Sequence, residues 1–375
     1  MVTTGLSGNE MYCLNLIGFT PGDLIIGNSV YSMGLLGSLK AGFRGVVGGE
    51  ITTYTQIVAE GRRLSFERLQ KELTERGAQG ATGVTSELIP QGTNVEFLSV
   101  ASALHTNQEV RAFTSASDGQ ELYCQVDSGY TPLKFVFGNV AYSIGVGQGL
   151  LGSLRSLGRG EVVEYSNIFT ATRNLALQRL VDEAKTVGAN SVVGIETSIL
   201  PFGGVQEMLM IGTASYNPAP SIVATGQVVS SDLTSEELWN LTSLGYVPYK
   251  LLLGTSVYSL GLVGGITSVL RSFAKGEIDE LTTLIYDARE ESIGKVRSEA
   301  EALGADDVVG IKTYVYQLGG GLIEFLAIGT AVKKVGAEVT THSSQLPPQA
   351  IIRDRDTFFD SVDFGGGIDL NGGDR

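Results

Sequence analysis

The sequence predicts an α+β protein of three tandem β-α-β-β domains with antiparallel sheets, each domain preceded by a short capped helix. The first observation behind this prediction is a threefold repeat. A helix stop, an apolar strand, a Pro/Gly turn and a second apolar strand run from 188 to 214, and the same pattern begins again at 77 and at 304. The other two observations are a capping box ahead of each copy and a helical stripe of apolar residues within it. One unit therefore builds the whole architecture.

The register of the repeat sets the domain boundaries. Matching residues of the first and second copies are 111 apart, and those of the second and third are 116 apart until the last hairpin, where the third copy has one extra residue. The residues that mark this register are Gly27, Gly138 and Gly254; Tyr31, Tyr142 and Tyr258; Glu50, Glu161 and Glu277; Arg62, Arg173 and Arg289; and Gly77, Gly188 and Gly304. We predict domains at 7–104, 118–216 and 234–334, with linkers at about 105–117 and 217–233.

The residues 335–375 are predicted to form an acidic, disordered tail, because they combine six aspartates with Pro and Gly runs. Phe358, Phe359 and Phe364 in this tail leave open an alternative, in which the tail docks on a protein partner. Plain disorder is the favoured interpretation.

Each unit begins with the helix-capping pairs Ser7 and Glu10, Asp118 and Glu121, and Thr234 and Glu237. The main helices are predicted to begin near Thr53, Glu164 and Glu280. The two strands after each main helix carry apolar residues at both odd and even positions, which is typical of a sheet covered on both faces. Since one helix covers one face, another repeat or another subunit must cover the second, and a homo-oligomer is expected.

Composition excludes several function classes. A net charge of −14 with only 26 Lys and Arg argues against nucleic-acid binding. The two cysteines, Cys13 and Cys124, are expected in the core rather than in a disulfide, and the absence of a recognisable secretory signal indicates a cytoplasmic protein. The uncharged runs 135–154 and 251–270 are long enough to span a bilayer but contain Gly and polar residues, so membrane contact is not expected.

A set of short motifs carries a family resemblance. It comprises a strand that ends in Gly, a Gly-Glu pair before a helix, an Arg within that helix, the strand entry Gly-Ala-x-x-Val-Val-Gly-Ile and a closing Gly-Thr-Ala. In this respect the chain resembles the YbjQ-like family, also called putative heavy-metal-binding domains, over 18–104, 129–215 and 245–333. The resemblance implies small β-α-β-β domains with an antiparallel sheet, and single-domain relatives that assemble as homopentamers.

The residues themselves offer little chemistry. A soft-metal site needs clustered thiolates or imidazoles, and the chain has two Cys and two His, so no metal site and no cofactor are predicted. Binding of a hard cation by carboxylates such as Glu50 stays open. The dinucleotide-like spacing Gly147-x-Gly149-x-x-Gly152 occurs in one copy only and is rejected. Without a recurring His, no acid/base pair suited to neutral pH is indicated, and no catalytic residue is assigned.

A glutamate and an arginine recur twelve residues apart in every copy, which predicts one ion pair per repeat. The candidate interface or ligand residues are Glu50, Arg62, Glu161, Arg173, Glu277, Arg289, Tyr31, Tyr142 and Tyr258. A structural pair, within or between domains, is favoured over a polar ligand site at a domain junction. The sequence thus predicts a non-enzymatic, cytoplasmic, oligomeric scaffold or binding module, and the alternative is a protein that binds or stores a metal or a small ligand.

Overall fold

The computed structural model describes residues 1–32, 49–92, 94–143, 160–202, 205–219, 227–259, 279–319 and 322–335. Three features singled out in the sequence lie outside these residues. They are Glu277, the glycine spacing at 147–152 and the acidic tail beyond Val335.

The first domain contains two helices and a sheet built around two long strands. Its elements are α1 (Gly8–Leu16), β1 (Thr20–Ser32), β2 (Gly49–Glu50), α2 (Thr52–Glu75), β3 (Gly80–Thr82), β4 (Glu87–Gln91) and β5 (Asn94–His105), followed by β6 (Phe113–Thr114). β1 and β5 pair antiparallel along their whole length, and β5 also pairs with β3 and β4.

The second and third domains repeat this order. The second has α3 (Gly119–Asp127), β7 (Thr131–Ser143), β8 (Gly160–Glu161), α4 (Val163–Thr186), β9 (Ser191–Phe202), β10 (Val205–Tyr216) and β11 (Val229–Ser230). The third has α5 (Ser235–Ser243), β12 (Tyr246–Ser259), α6 (Asp279–Ala302), β13 (Asp307–Gly319) and β14 (Leu322–Lys334). The predicted α+β class is confirmed, with one sheet per domain.

All three predicted capping boxes are present. In α1 the Ser7 hydroxyl accepts from the backbone N–H of Glu10, and the Glu10 carboxylate accepts from the backbone N–H of Ser7. Asp118 and Thr234 do the same for α3 and α5. These contacts satisfy N–H groups that the first turn of a helix leaves without partners. The three short helices stack side by side, with α3 between α1 and α5.

Each sheet is completed by strands from the neighbouring repeat. β2 precedes the main helix of the first domain but pairs with β7 of the second, and β8 of the second domain pairs in the same way with β12 of the third. The predicted linkers also contain strands, since β6 pairs parallel with β3 and β11 pairs parallel with β9. The segments between the domains are therefore part of the sheets.

The expectation that both sheet faces are covered is confirmed for the second and third domains. Their own main helix packs on one face, and the main helix of the preceding domain packs on the other. At the first junction the ring of Phe66 on α2 lies 5.2 Å from that of Phe135 on β7. At the second junction, Leu251, Leu253 and Val257 of β12 join one hydrophobic core with the second domain. This burial of apolar surface holds adjacent domains together.

A glycine in the first long strand of each domain lets that strand approach its own main helix. A Cβ built on Gly27, Gly138 or Gly254 would lie 2.0, 2.1 or 2.0 Å from a backbone oxygen of the helix. Backbone atoms cannot move aside as a flexible side chain can. The recurring glycine therefore sets the distance between helix and sheet.

This contact generates a paired prediction within the third domain. Gly254→Ala should lower the free energy of unfolding by about 1–3 kcal/mol or more, because the new methyl group overlaps the Ser292 carbonyl oxygen. Gly294→Ala, inside α6 with nothing within 4 Å of the added Cβ, should instead raise it by about 0.5–1 kcal/mol. Urea denaturation measures both, and equal effects of the two substitutions would contradict the packing described.

Candidate functional site at the domain junctions

A buried ion pair lies at each junction between domains. Arg62 of α2 donates from Nε and Nη2 to the two carboxylate oxygens of Glu207 on β10, at 3.1 and 2.7 Å. Arg173 of α4 donates to Glu324 on β14, at 2.8 Å from its Nε. All four side chains are at most 1% exposed. Each pair joins the main helix of one domain to the sheet of the next.

The structure contradicts the ion pairs predicted from sequence, which are Glu50 with Arg62 and Glu161 with Arg173. Each glutamate precedes its helix, and roughly ten residues of helix, about 15 Å, separate it from the arginine. Glu50 instead accepts from Arg179 at 2.7 Å, and Glu161 accepts from Lys295 at 2.6 Å. These partners also lie in the following domain. Both members of each predicted pair therefore contact the next domain, but through different residues.

Polar neighbours differ between the two junctions. Asn139 donates to Glu207 at 3.1 Å, so that carboxylate is well hydrogen-bonded. Thr255 takes the matching position in the third domain, and both its Oγ1 and Oε2 of Glu324 are buried without a hydrogen-bond partner. Burial raises the pKa of Glu324, and the charge of Arg173 opposes part of that effect. The second junction thus satisfies its buried carboxylate less completely.

Each of the three recurring tyrosines packs against an aromatic ring on a neighbouring element of its own domain. The ring of Tyr31 lies edge-on to Phe97, and that of Tyr258 lies edge-on to Phe325. Tyr142 is buried, and its hydroxyl donates to Gln206 at 2.9 Å. Burial raises the pKa of all three hydroxyls. Their hydroxyls are thus held in the protonated form, and their rings contribute to the cores.

The donor groups present do not fit a soft-metal site. Among the described residues, no group of three or more His, Cys, Asp and Glu side chains is arranged to hold a metal ion. Cys13 and Cys124 are buried, free thiols. Burial, and then the nearby Asp118 and Glu10 carboxylates, raise the pKa of Cys13 to about 11. A thiol held in its protonated form is a poor metal ligand.

A cavity of about 320 Å³ lies between the second and third domains. Its lining includes Glu121, Glu196, Asp232 and Lys312. Asp232 accepts from the Thr330 hydroxyl at 2.6 Å and lies 3.4 Å from the Lys312 ammonium. Burial, followed by repulsion from other carboxylates, raises the pKa of Glu121 from 4.5 to about 8. The cavity thus presents both an ammonium group and a carboxyl that is largely protonated at neutral pH.

The strand glutamates that receive the arginines are not among the site residues predicted from the sequence. They recur in all three copies, at Glu96, Glu207 and Glu324. Each lies within an otherwise apolar strand, as in Val-Gln-Glu-Met-Leu-Met. A charged residue at one fixed position of a buried strand needs a partner, and this signal was available. What the sequence did not reveal was which domain supplies that partner.

Fold and junctions together define a class of protein: a tandem array of β-α-β-β domains in which each domain packs its helix on the sheet of the next. Comparison with known proteins then gives the family. Residues 21–100, 129–217 and 246–335 match the YbjQ_1 family, described as "Putative heavy-metal-binding". These segments make up more than half of the chain, and the chain belongs to this family.

Individual relatives extend the comparison. A Mycobacterium tuberculosis protein named encapsulin nanocompartment protein Rv1762c is 32% identical over 227 residues, covering 56% of this chain and 84% of its own. UPF0145 proteins of Methanoregula boonei and Vibrio campbellii are each 41% identical, over 83 and 80 residues. These two matches cover 22% and 21% of this chain and 69% and 77% of the relatives. The names of these three relatives refer to no reaction. Among the described residues, no helix has both the length and the apolar character needed to cross a bilayer.

The junction geometry generates a stability prediction. Arg62→Ala should lower the free energy of unfolding by about 3–5 kcal/mol, because it leaves the buried Glu207 carboxylate without its counter-charge. Arg63→Ala is the matched control, since Arg63 is the next residue of the same helix and pairs with exposed Glu60 and Glu67. Its loss should cost less than about 1 kcal/mol. Chemical denaturation measures both.

A double-mutant cycle separates the observed pairing from the one predicted by sequence. Arg62→Ala and Glu207→Ala should be non-additive, with a coupling of about 0.5–3 kcal/mol, whereas Arg62→Ala and Glu50→Ala should add within about 0.5 kcal/mol. Coupling to Glu50 with additivity at Glu207 would contradict the structure.

The raised pKa of Glu121 generates a pH prediction. Folding favours its protonated form, so this stabilisation is complete below about pH 4.5 and is lost as the pH rises through about 8. Glu121→Gln cannot ionise and keeps an oxygen for the capping box. The variant should therefore melt above the parent by a margin that grows from pH 5 to pH 9 and reaches at least about 2 °C.

The control for this experiment is Glu237→Gln, which alters the matching capping-box residue of α5, where the side chain is exposed. Its melting temperature should follow that of the parent at every pH. A difference that does not grow with pH for Glu121→Gln, or an equal difference for both variants, would rule out the raised pKa of Glu121 as the cause.

Proposed function

We propose that the chain is a non-enzymatic, cytoplasmic scaffold that assembles with further copies of itself. One observation carries this proposal. The recurring charged residues that were candidates for a functional site join the domains instead. Arg62, Arg173, Glu50 and Glu161 all form ion pairs with the following domain. Arg62 and Arg173 are buried in their ion pairs and are not available to a substrate, and Glu50 and Glu161 are held in partly buried ion pairs with the following domain. The residues that recur most regularly therefore support assembly rather than catalysis.

The comparison with relatives supports the same proposal. The Mycobacterium tuberculosis protein carries the name of an encapsulin nanocompartment protein and matches more than half of this chain. A compartment protein acts through its assembly, so a scaffold role for this chain agrees with the name of that relative. The cytoplasmic location is supported by Cys13 and Cys124, which pack in one cluster and remain free thiols, as a reducing compartment favours.

Binding of a small polar ligand is a second candidate function, and the cavity between the second and third domains favours it. Lys312 supplies a positive charge there, and Asp232 and Glu196 supply acceptors. A cavity of about 320 Å³ falls in the range that holds small molecules. Metal storage is not supported by the donor groups described above.

Native mass spectrometry of the purified chain tests both candidates in one measurement. The scaffold proposal expects masses that are multiples of 39.6 kDa at micromolar concentration, with no bound small molecule. A species of 39.6 kDa alone would overturn it. A retained small molecule that is lost in the Lys312→Met variant, but not in the Lys250→Met control at another cation of the same domain, would favour the ligand-binding candidate.

A further inference from the structure

Each internal junction uses the same surface of the receiving domain. In the second domain, Asn139 and Ala141 of β7 face α2, and the Ala141 N–H donates to the Thr55 hydroxyl at 2.9 Å. In the third domain the matching N–H of Val257 donates to the Ser166 hydroxyl of α4 at 2.8 Å. With Glu207 or Glu324 beside it, this face accepts the helix of the preceding domain. We call it the acceptor face.

The first domain has an acceptor face on which no other described domain packs. The face consists of Ile26, Asn28 and Val30 on β1 and Glu96 and Leu98 on β5. Val30 is 58% exposed, although the matching Ala141 and Val257 are fully buried. Asn28 donates to Glu96 at 2.9 Å, as Asn139 does to Glu207, so the acceptor for an arginine is already formed.

On the third domain, no other domain of the described chain packs on the opposite surface. On α6, Thr282, Ile285 and Arg289 match the residues of α2 and α4 that contact the next domain, and Arg289 is exposed. Near them on β13, Ile311 is 44% exposed, whereas the matching Val84 and Ile195 are 1% and 3% exposed. We call this surface, formed by Thr282, Ile285, Arg289 and Ile311, the donor face.

We propose that the donor face of one chain docks on the acceptor face of a second copy, and that Arg289 forms a buried ion pair with Glu96 of that copy. This inference deepens the proposed function and rests on it. The occupant is identified by two features of the molecule: the same contact already occurs twice within the chain, and the two faces carry opposite charges, Arg289 and Glu96. Within the described part of one chain, no other domain packs on either face, so the contact is made between copies.

The backbone supports the same pairing. The parallel strands β6 and β11 add to Gly80–Ala81 and to Ser191–Val192 at the first and second junctions. The matching edge on the third domain is Asp307–Val308, and the segment of the chain that matches β6 and β11 is Val2–Thr3. Val2 is 53% exposed. Val2–Thr3 of the second copy therefore completes the edge of β13.

The stacked helices repeat this asymmetry. Tyr12 on α1 matches Tyr123 on α3 and Trp239 on α5. Tyr12 is 54% exposed, but Tyr123 and Trp239 are at most 7% exposed because they pack against the preceding helix. In a docked pair of chains, α5 of one copy covers Tyr12 of the next. Because the two faces differ, the contact is heterologous and each chain keeps one free face of each kind until a ring closes.

Charge reversal tests this interface in the full-length protein. By sedimentation velocity at micromolar concentration, the parent should associate, and Arg289→Glu and Glu96→Arg should each have the mass of one chain, 39.6 kDa. An equimolar mixture of the two variants should associate again, because each then meets a partner of opposite charge. The double variant should also associate by itself. Recovery in the mixture shows that both single variants are folded.

The matched control is Glu290→Arg, a charge reversal at the residue of α6 next to Arg289. This position is exposed in all three copies, and Arg63 and Asn174 occupy it in the other two, so the first junction already forms beside an arginine there. The control should associate like the parent. If the parent associates and both single variants associate equally well, the proposed interface is wrong. It is also wrong if the mixture of the two variants does not associate. Either result would leave the scaffold proposal standing. A parent that sediments as one chain would overturn both.

Discussion

Each domain has a sheet with two apolar faces, and it contributes one main helix to cover them. In the first two domains that helix packs on one face of its own sheet, and its opposite side packs on the sheet of the next domain. The uncovered face would otherwise present apolar surface to water at a cost of about 25 cal/mol per Å². Packing between successive domains, the exchange of short strands and the position of the buried ion pairs all follow from this single requirement.

The ion pair at each junction adds specificity to this packing. Burying a charge is unfavourable unless it is paired and hydrogen-bonded, so a helix can dock on the apolar sheet only where Arg62 meets Glu207 or Arg173 meets Glu324. Apolar contacts alone would tolerate a shift along the strands. The pair fixes the register of helix on sheet, and the strand exchanges at β2 and β8 fix it a second time.

The repeat made most of the fold predictable. Capping boxes, main helices and hairpins follow from local patterns that recur three times, and the apolar character of both strand parities indicated that a second cover was needed. The ion pairs were predicted to exist but were given the wrong partners, because Glu50 and Arg62 recur together although the fold separates them. Pairing across domains depends on which helix reaches which sheet, and a periodic sequence is compatible with several answers. The strands in the linkers were missed because each is only two residues long.

With Thr255 at the second junction, one oxygen of the buried Glu324 carboxylate has no hydrogen-bond partner. The junction tolerates this loss because both domains belong to one chain. Domains linked by a short segment meet at an effective concentration in the millimolar range. A missing hydrogen bond of about 1 kcal/mol then leaves the tethered domains together. Between separate chains at micromolar concentration, the same loss would weaken association roughly fivefold and shift a substantial share of molecules apart. Covalent fusion therefore protects the internal junctions from substitutions that a junction between separate chains would not tolerate.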